Sequence, residues 1–294
     1  MNIDLELYRV FNAVARLGSF SAAAKELYIS QPAVSQSIRQ LESSLGTTLF
    51  LRGSRGITLT KEGELLLGYS ASAINLIEAG EKRLAGLSQL SEGELRIGAG
   101  DTVSKWFLLP VIEKFHRQYP AVTLRVTNRT SGETVDLIKN GQLDIGFVNM
   151  PISAPDMLFE ECMTVHDVFV AGDKYAHLAE RELTLEQVAS EPLIMLERTS
   201  NSRRWVDRHF FSRGVELRPE IELGAHDLLA DYARIGLGIA CVVDEFVWRE
   251  QGLQGGLHIL RLADPVPARS MGACYLEDIA LSPAARKFID MAKA

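Results

Sequence analysis

Side chains able to read the hydrogen-bonding groups of nucleic-acid bases cluster in the segment QPAVSQSIRQLESSLG, residues 31–46. Glutamine can pair with adenine, arginine with guanine, and serine with a phosphate or a base edge. At about 100° per residue, a helix here gathers its apolar side chains on one side and its polar ones on the other. The polar side holds Gln31, Pro32, Ser35, Gln36 and Arg39. This arrangement suits readout of the DNA major groove, but for a polar face taken alone simple solvation is the favoured explanation.

Two short helices precede this segment and help to decide between those alternatives. Apolar residues recur at three and four along residues 5–17, and a glycine that can end the helix follows. Ser19 caps a second helix, in which Ala23 and Ala24 allow a neighbouring helix to approach closely. Ser30 then caps the third helix, with a proline in its first turn. The order predicts a helix-turn-helix whose third helix is the recognition helix.

A short basic hairpin follows the third helix. The segment TLFLRGSRGITLT, residues 48–60, predicts two β-strands at 49–51 and 57–59, joined by a glycine-containing turn. Arg52 and Arg55 lie at its tip, where they would reach DNA phosphates or the narrow minor groove. Either arginine alone would equally suit a solvated loop. A basic hairpin directly after a recognition helix predicts the wing of a winged helix-turn-helix.

The ordered motifs of this N-terminal part resemble the DNA-binding domain of the LysR-type transcriptional regulators. The match comprises Ala23 and Ala24 with Leu27, then SQPAVSQSIRQLE, LGTTLFLR and LTKEG, over residues 3–66. The resemblance implies a bacterial, sequence-specific DNA-binding regulator that works as a homodimer or homotetramer. It also implies a near-palindromic site on double-stranded promoter DNA, contact with RNA polymerase, and a winged helix-turn-helix domain, which we place at residues 1–60.

A long helix without proline is predicted as a linker over residues 61–90. Its apolar or small residues recur at three and four as Leu66, Tyr69, Ala73, Leu76, Gly80, Leu84 and Leu87. A stripe of about 40 Å is too long for a small domain to bury, so the helix requires a partner. That partner is either the next domain or a second copy of the helix. LysR-type proteins use the second arrangement, which the resemblance therefore favours.

From residue 91 onward the chain alternates between strands and helices. The order strand, helix, strand, helix, strand over residues 94–149 predicts a parallel sheet, and the pattern resumes over residues 167–243. Two final strands and a helix return to complete the first unit. The fold class is multidomain: a helical head, a linker helix and a two-lobed α/β effector domain. As in LysR-type proteins, that domain resembles type-2 periplasmic binding proteins. The predicted lobes are lobe I at about 91–161 and 265–294, and lobe II at about 162–264.

Hydroxyl-bearing loops follow three of these strands, at the edge where a ligand would bind between the lobes. Each loop opens a helix whose N–H groups and dipole favour an anion, although serine and threonine are also ordinary helix caps. The predicted contacts to a small anionic effector are Thr102, Ser104, Thr130, Ser131, Thr199, Ser200, Asn201, Ser202, Arg203 and His226. Asp101 opposes a pure anion, unless it points outward or meets an amine on the ligand.

Composition and the remaining motifs exclude several other classes. The chain has 294 residues, of which 47% are apolar and 23% charged, as in globular proteins of two domains. Walker and GxSxG motifs are absent, GxG at 98–100 lacks a third glycine, and the histidines and cysteines have no metal-ligand spacing. We therefore predict no catalysis, no metal and no cofactor. The lack of a run of about eighteen apolar residues predicts no membrane contact, and the scattered cysteines indicate a reducing cytoplasm.

Charge is uneven along the chain. Residues 1–62 contain seven basic and five acidic side chains, a balance of +2, whereas the whole chain carries −7. A mildly basic head on an acidic body is compatible with DNA binding but does not establish it. The sequence predicts a transcriptional regulator controlled by a small molecule. The alternative is a small-molecule-binding protein whose N-terminal helices serve mainly in assembly.

Overall fold

The computed structural model describes residues 3–53, 56–86, 93–246 and 256–293, without the side chains of 52–53, 56 and 82–86. The chain divides into two compact units. The first, which we call the head unit, comprises Met1–Ala85 with Asn140–Gln142. The second, the effector unit, comprises Gly86–Lys139 with Leu143–Ala294. Each unit contains its own apolar core.

Three helices form the core of the head unit: α1 (Leu5–Leu17), α2 (Phe20–Glu26) and α3 (Gln31–Leu45). Ser19 and Ser30 cap α2 and α3 as predicted, each side chain accepting the backbone N–H three residues on, at 3.2 and 3.3 Å. Gly18 ends α1 in the left-handed conformation, at φ 61°. Ala23 is completely buried in the core that the three helices share, which allows α2 to pack closely on its neighbours.

The head unit continues with strand β1 (Phe50–Gly53), strand β2 (Gly56–Leu59) and helix α4 (Lys61–Gly86). The two strands are antiparallel, as the hairpin prediction requires. Thr60 precedes α4, and its Oγ1 accepts the Gly63 N–H at 2.9 Å. Arg55 and the side chain of Arg52 lie outside the described residues, so the contacts of the wing to DNA stay a prediction.

Two mixed β-sheets, each flanked by helices, form the effector unit. The first sheet contains β3 (Gly93–Ala99), β4 (Val122–Asn128), β5 (Ile145–Asn149), β6 (Met157–Val165) and β13 (Arg269–Leu276), in the order β4-β3-β5-β13-β6. Its helices are α5 (Asp101–Val103), which runs through a π-helical turn (Ser104–Leu108) into α6 (Leu109–Gln118), then α7 (Ser131–Lys139) and α11 (Pro283–Lys293). Strands β3, β4 and β5 are parallel, as predicted. We call this part lobe I.

The second sheet contains β7 (Asp167–Gly172), β8 (Glu182–Leu183), β9 (Leu193–Leu196), β10 (Ile221–Leu223), β11 (Ile239–Val243) and β12 (Leu257–Leu262). Its strand order is β10-β9-β11-β7-β12-β8. The helices are a 3₁₀ helix (Asp173–Glu180), α8 (Leu185–Ala189), α9 (Asn201–Phe211) and α10 (His226–Arg234). We call this part lobe II.

Two of the longer strands differ from the prediction. The sequence does not indicate β6, because this edge strand is not cleanly alternating and carries Glu160 and Glu161 at its centre. It nevertheless pairs with β13 along its whole length, with an irregularity between Met271 and Gly272. Strand β12 pairs with β7 and β8 within lobe II rather than crossing back to lobe I.

A buried ion pair joins the strands that connect the lobes, where β6 leads into β7 and β12 leads into β13. Arg269, at the start of β13, donates to the two carboxylate oxygens of Asp167 at 2.6 and 2.9 Å. The two side chains are 1% and 4% exposed. Arg269 also donates to Oδ1 of Asn149 at 2.7 Å. Bidentate pairing and the further acceptor compensate the burial of the guanidinium.

Candidate functional site

Helix α3 presents an exposed polar face on the head unit. Gln31, Pro32, Gln36 and Arg39 are all exposed. Arg39 Nε donates to the Ser35 carbonyl oxygen at 3.2 Å, and no other bond of this guanidinium is present among the described residues. Ser35 itself is only 8% exposed, because its side chain lies beside the packed residues of the same helix. The structure therefore places Ser35 at the buried edge of the predicted DNA-binding face.

The one carboxylate of α3 is engaged inside the head unit. Glu42 Oε1 accepts the backbone N–H groups of Leu49 at 2.7 Å and Phe50 at 3.3 Å. These hydrogen bonds link α3 to the hairpin and hold the negative charge of Glu42 away from the exposed face. The face thus offers amides and a guanidinium, which suit base edges and phosphates.

The exposed side of α4 is shifted from the predicted stripe. Leu66 packs on the head core, whereas Leu65, Tyr69 and Ile77 are 66%, 73% and 39% exposed. Together with exposed Ala73 they recur every four residues and form an apolar face. Two further members of the predicted stripe have side chains outside the described part of the chain, Leu84 and Leu87.

A cavity of about 150 Å³, which we call the cleft, lies between the two lobes of the effector unit. It is found at the carboxyl ends of β3, β4 and β5 in lobe I and of β9 and β10 in lobe II, as expected for α/β sheets. Seven of the predicted effector contacts line it: Thr102, Thr130, Ser131, Thr199, Ser200, Asn201 and Ser202.

Two predicted contacts, Ser104 and Arg203, are absent from this lining. The Ser104 hydroxyl is buried in the π-helical turn and has no hydrogen-bond partner among the residues that the structure describes. The Arg203 side chain is 1% exposed and donates to the Leu196 carbonyl oxygen and to Asp207, both at 2.8 Å. Its guanidinium also reaches Glu222 at 3.5 Å. Arg203 therefore fixes α9 to the neighbouring strands, and the expectation that it meets the ligand is not supported.

His226 is the third predicted contact outside the lining. It is buried, and its Nε2 accepts the Val243 N–H at 2.8 Å, so the ring proton lies on Nδ1. Burial lowers the pKa of His226 to about 4. A neutral imidazole bonded to β11 cannot supply the positive charge that an anionic ligand would need.

The helix N-termini at the cleft differ in the groups that already cap them. At α7, the Glu133 carboxylate accepts the N–H and the hydroxyl of Thr130 at 2.9 and 2.7 Å. These hydrogen bonds lower the pKa of Glu133. At α5, Asp101 lies in the first turn and accepts a hydrogen bond from the Asn128 amide. At both helices a carboxylate thus holds the position that favours an anion.

Helix α9 has no such carboxylate. Its N-cap Ser200 makes no side-chain cap bond, and its first turn contains no acidic residue. Within the described ranges, the backbone N–H groups of Asn201, Ser202 and Arg203 have no hydrogen-bond acceptor. The Ser202 hydroxyl also has none there, although this cleft residue is only 7% exposed. The N-terminus of α9 therefore has the donors and the dipole to bind an anion.

Several cleft residues are not among the predicted contacts: Asp101, Asn128, Arg129, Asn149, Glu197, Leu223 and Gly224. Asn128 and Asn149 are the last residues of β4 and β5, and Glu197 follows β9 directly. Polar residues at the carboxyl end of a predicted parallel strand are a signal that the sequence contains.

The side chain of Asn201 links lobe II to lobe I. Its amide donates to the carbonyl oxygens of Asn149 and, at 3.1 Å, Pro151.

Two other kinds of site are not found among the described residues. No group of three His, Cys, Asp or Glu side chains among them is arranged to hold a metal ion. None of the helices described is at once long and apolar enough to cross a membrane.

Comparison with known proteins assigns a family to both units. Residues 5–64 match the family of bacterial regulatory helix-turn-helix proteins, lysR family, and residues 88–294 match the LysR substrate binding domain. The RuBisCO operon transcriptional regulator of Allochromatium vinosum is 32% identical over 82% of this chain and 80% of its own. The HTH-type transcriptional activator CmpR of Synechocystis sp. is 28% identical over 98% of this chain and 94% of its own.

Solved structures share the fold over the whole chain. Full-length OxyR from Pseudomonas aeruginosa, a variant, has a TM-score of 0.72 at 19% identity, covering 100% of this chain and 95% of that one. Full-length CbnR complexed with its target DNA has a TM-score of 0.67 at 19% identity, covering 99% of both chains. The two family matches together span most of the chain, so it belongs to the LysR family of DNA-binding transcriptional regulators, which respond to small molecules and are not enzymes.

Proposed function

We propose that this chain reads a near-palindromic promoter site with α3, and that a small anionic metabolite in the cleft sets its activity. The proposal depends chiefly on the N-terminus of α9, because no carboxylate caps this helix at the cleft. Its backbone N–H groups and the hydroxyls of Thr199, Ser200 and Ser202 supply donors to the cleft. The helix dipole adds attraction for a negative charge.

A ligand at α9 would touch both lobes, because Thr102 and Ser131 line the same cleft from lobe I. Asn149, whose carbonyl oxygen accepts the Asn201 amide, is bonded through its side chain to Arg269 at the connecting strands. We infer that ligand binding shifts the population of lobe arrangements through these contacts. In a dimer or tetramer, that shift would change the relative placement of the heads and so alter DNA bending or contact with RNA polymerase.

The exposed apolar face of α4, defined by Leu65, Tyr69, Ala73 and Ile77, supports a dimer. A second copy of α4 would cover it, because a two-fold contact brings the same face from each chain together. Pairing would also place two recognition helices on the two halves of a near-palindromic site. We place this activity in the cytoplasm, where a bacterial promoter would be encountered.

Calorimetric titration of the full chain with sulfate, phosphate and acetate tests the anion site. We expect Ser202→Ala and Thr199→Val each to weaken binding of the best of these anions by about tenfold, because each removes a hydrogen bond to a charged group. Thr123→Val is the matched control, since Thr123 is exposed on β4 outside the cleft lining. Parental affinity in both cleft variants would show that the anion does not bind at α9.

A DNA mobility-shift assay at several salt concentrations tests the α3 face. Gln36→Ala and Arg39→Ala should lose about 1–3 kcal/mol of discrimination between specific and non-specific DNA. Arg39→Lys keeps the positive charge but lacks the bidentate geometry, so it should lose discrimination while retaining the salt dependence. If the alanine variants discriminate like the parent, α3 does not read bases, and a role of the head in assembly is favoured.

A further inference from the structure

We infer that the ligand of the cleft carries a cationic group next to its anionic group, as an α-amino acid does. This inference rests on the proposed function, because it concerns the same cleft and takes the anionic end to lie at α9. It adds the ligand class, which the family assignment leaves open.

The charges in the cleft lining are not those of a site for a simple anion. Three ionisable side chains line it, the carboxylates of Asp101 and Glu197 and the guanidinium of Arg129. None of the three forms an ion pair with another residue in the described part of the chain. The lining therefore has an excess of negative charge, which opposes a ligand that brings negative charge alone.

The position of Glu197 relates this carboxylate directly to the anion-binding end of α9. The Ser200 N–H donates to the Glu197 carbonyl oxygen at 2.9 Å, so both residues belong to one tight turn. The Glu197 side chain extends toward Gly224, where an added Cβ would be 3.5 Å from its Oε1. A ligand whose carboxylate binds the Ser202 hydroxyl and the α9 N–H groups would therefore have Glu197 beside its next atoms.

Asp101 supplies the second carboxylate from lobe I. The Asn128 amide, which also lines the cleft, donates to Asp101 Oδ1 and holds it. An ammonium group on the ligand can donate up to three hydrogen bonds, and the carboxylates of both lobes are acceptors for it. Such a group would bridge the lobes by attraction, whereas a plain anion would face a carboxylate from each lobe with no positive charge of its own to offset them.

The size of the cleft favours a ligand whose two charges are close together. A cavity of about 150 Å³ suits a small ligand, so a long zwitterion would not be enclosed. In an α-amino acid the ammonium and the carboxylate are attached to one carbon atom. That spacing matches a carboxylate at α9 with an ammonium near Glu197.

The test is calorimetric titration of the full chain with the common L-amino acids, sulfate, phosphate, and matched analogues of the amino acid that binds best. For serine, the analogues are glycerate, in which a hydroxyl replaces the ammonium, and ethanolamine, which lacks the carboxylate. We expect at least one amino acid to bind, and its two analogues to bind at least about tenfold more weakly. An analogue, sulfate or phosphate that binds as tightly as the best amino acid would overturn the inference, as would no amino-acid binding at millimolar concentration.

Charge variants provide the second arm. Glu197→Gln and Asp101→Asn should each weaken amino-acid binding by about tenfold and leave binding of the hydroxy acid unchanged or tighter. Glu180→Gln is the control, because Glu180 is exposed in lobe II and lies outside the cleft lining. Parental amino-acid affinity in both variants would refute the role of the two carboxylates. If anions bind in a way that depends on Ser202 but a ligand with an ammonium group binds no more tightly, this inference alone is overturned. If Ser202→Ala leaves the binding of every probe unchanged, the proposed anion site is overturned as well.

Discussion

The imidazole of His226 is buried at the start of α10, beside the Phe246 ring and between charges of both signs. Asp227 and Asp167 favour its protonation, Arg269 and Lys105 oppose it, and burial outweighs them all and lowers its pKa to about 4. In the unfolded chain the same group has a pKa of about 6.5. The unfolded state therefore takes up the proton first as the pH falls, and protonation of this residue favours unfolding.

We therefore expect His226 to make no pH-dependent contribution above about pH 6.5 and to destabilise the effector unit increasingly down to about pH 4. The loss would reach about 3 kcal/mol. Urea unfolding between these limits should show a smaller loss for His226→Gln, whose side-chain oxygen can still accept the Val243 N–H. His116→Gln, at an exposed position of α6, should keep the parental pH dependence. Equal slopes for His226→Gln and the parent would contradict the assignment.

At the scale of single elements, local patterns carried most of the prediction. Spacing of apolar residues located α1, α3 and the parallel strands of lobe I, and the caps Ser19 and Ser30 followed from residue type. Thr130 and Glu133 also form a capping box, which a T-x-x-E pattern can indicate from residue type alone, and this threonine lines the cleft.

Non-local contacts explain what local patterns could not predict. Arg203, on α9, is buried where the Leu196 carbonyl oxygen of β9 and the Glu222 carboxylate of β10 accept its guanidinium. The conformation of β6 depends on its pairing with β13, which is more than 100 residues away in the sequence. The charge of the cleft likewise depends on bringing Asp101 and Glu197 from different lobes to one cavity. No periodicity in the sequence encodes these distances.

Replacing glycine by alanine should have opposite effects on stability at two positions in the first turns of α4. A Cβ added at Gly63 would lie 2.3 Å from the Leu49 carbonyl oxygen, whereas one at Gly68 would have no neighbour within 4 Å. Gly63→Ala should destabilise the head unit by about 1–3 kcal/mol, because a backbone atom cannot easily move away. Gly68→Ala should instead stabilise it by up to about 1 kcal/mol through higher helix propensity. Urea unfolding of the two variants checks both signs, and parental stability of Gly63→Ala would contradict the close packing of α4 on Leu49.

At the scale of the whole molecule, the head and effector units have separate cores, so a change in one core need not propagate to the other. The Asp167–Arg269 pair can test whether the two units unfold independently, because it joins segments 102 residues apart that both belong to the effector unit. Removing one partner of a buried pair leaves the other charge uncompensated and costs about 3–5 kcal/mol. An exposed pair such as Arg125–Glu94, 67% and 35% exposed, contributes about 0–1 kcal/mol.

Scanning calorimetry of the full chain should therefore show that Arg269→Met lowers the melting temperature of the effector unit and leaves the transition of the head unit in place. Arg125→Met, the matched change in the exposed pair, should move neither transition appreciably. Arg269→Met should also weaken anion binding, because Arg269 holds the Asn149 side chain at the cleft. A joint shift of both transitions would show that the two units unfold as one. A parental melting temperature in Arg269→Met would show instead that the connecting strands do not depend on this pair, and that the lobes are held together by their apolar cores.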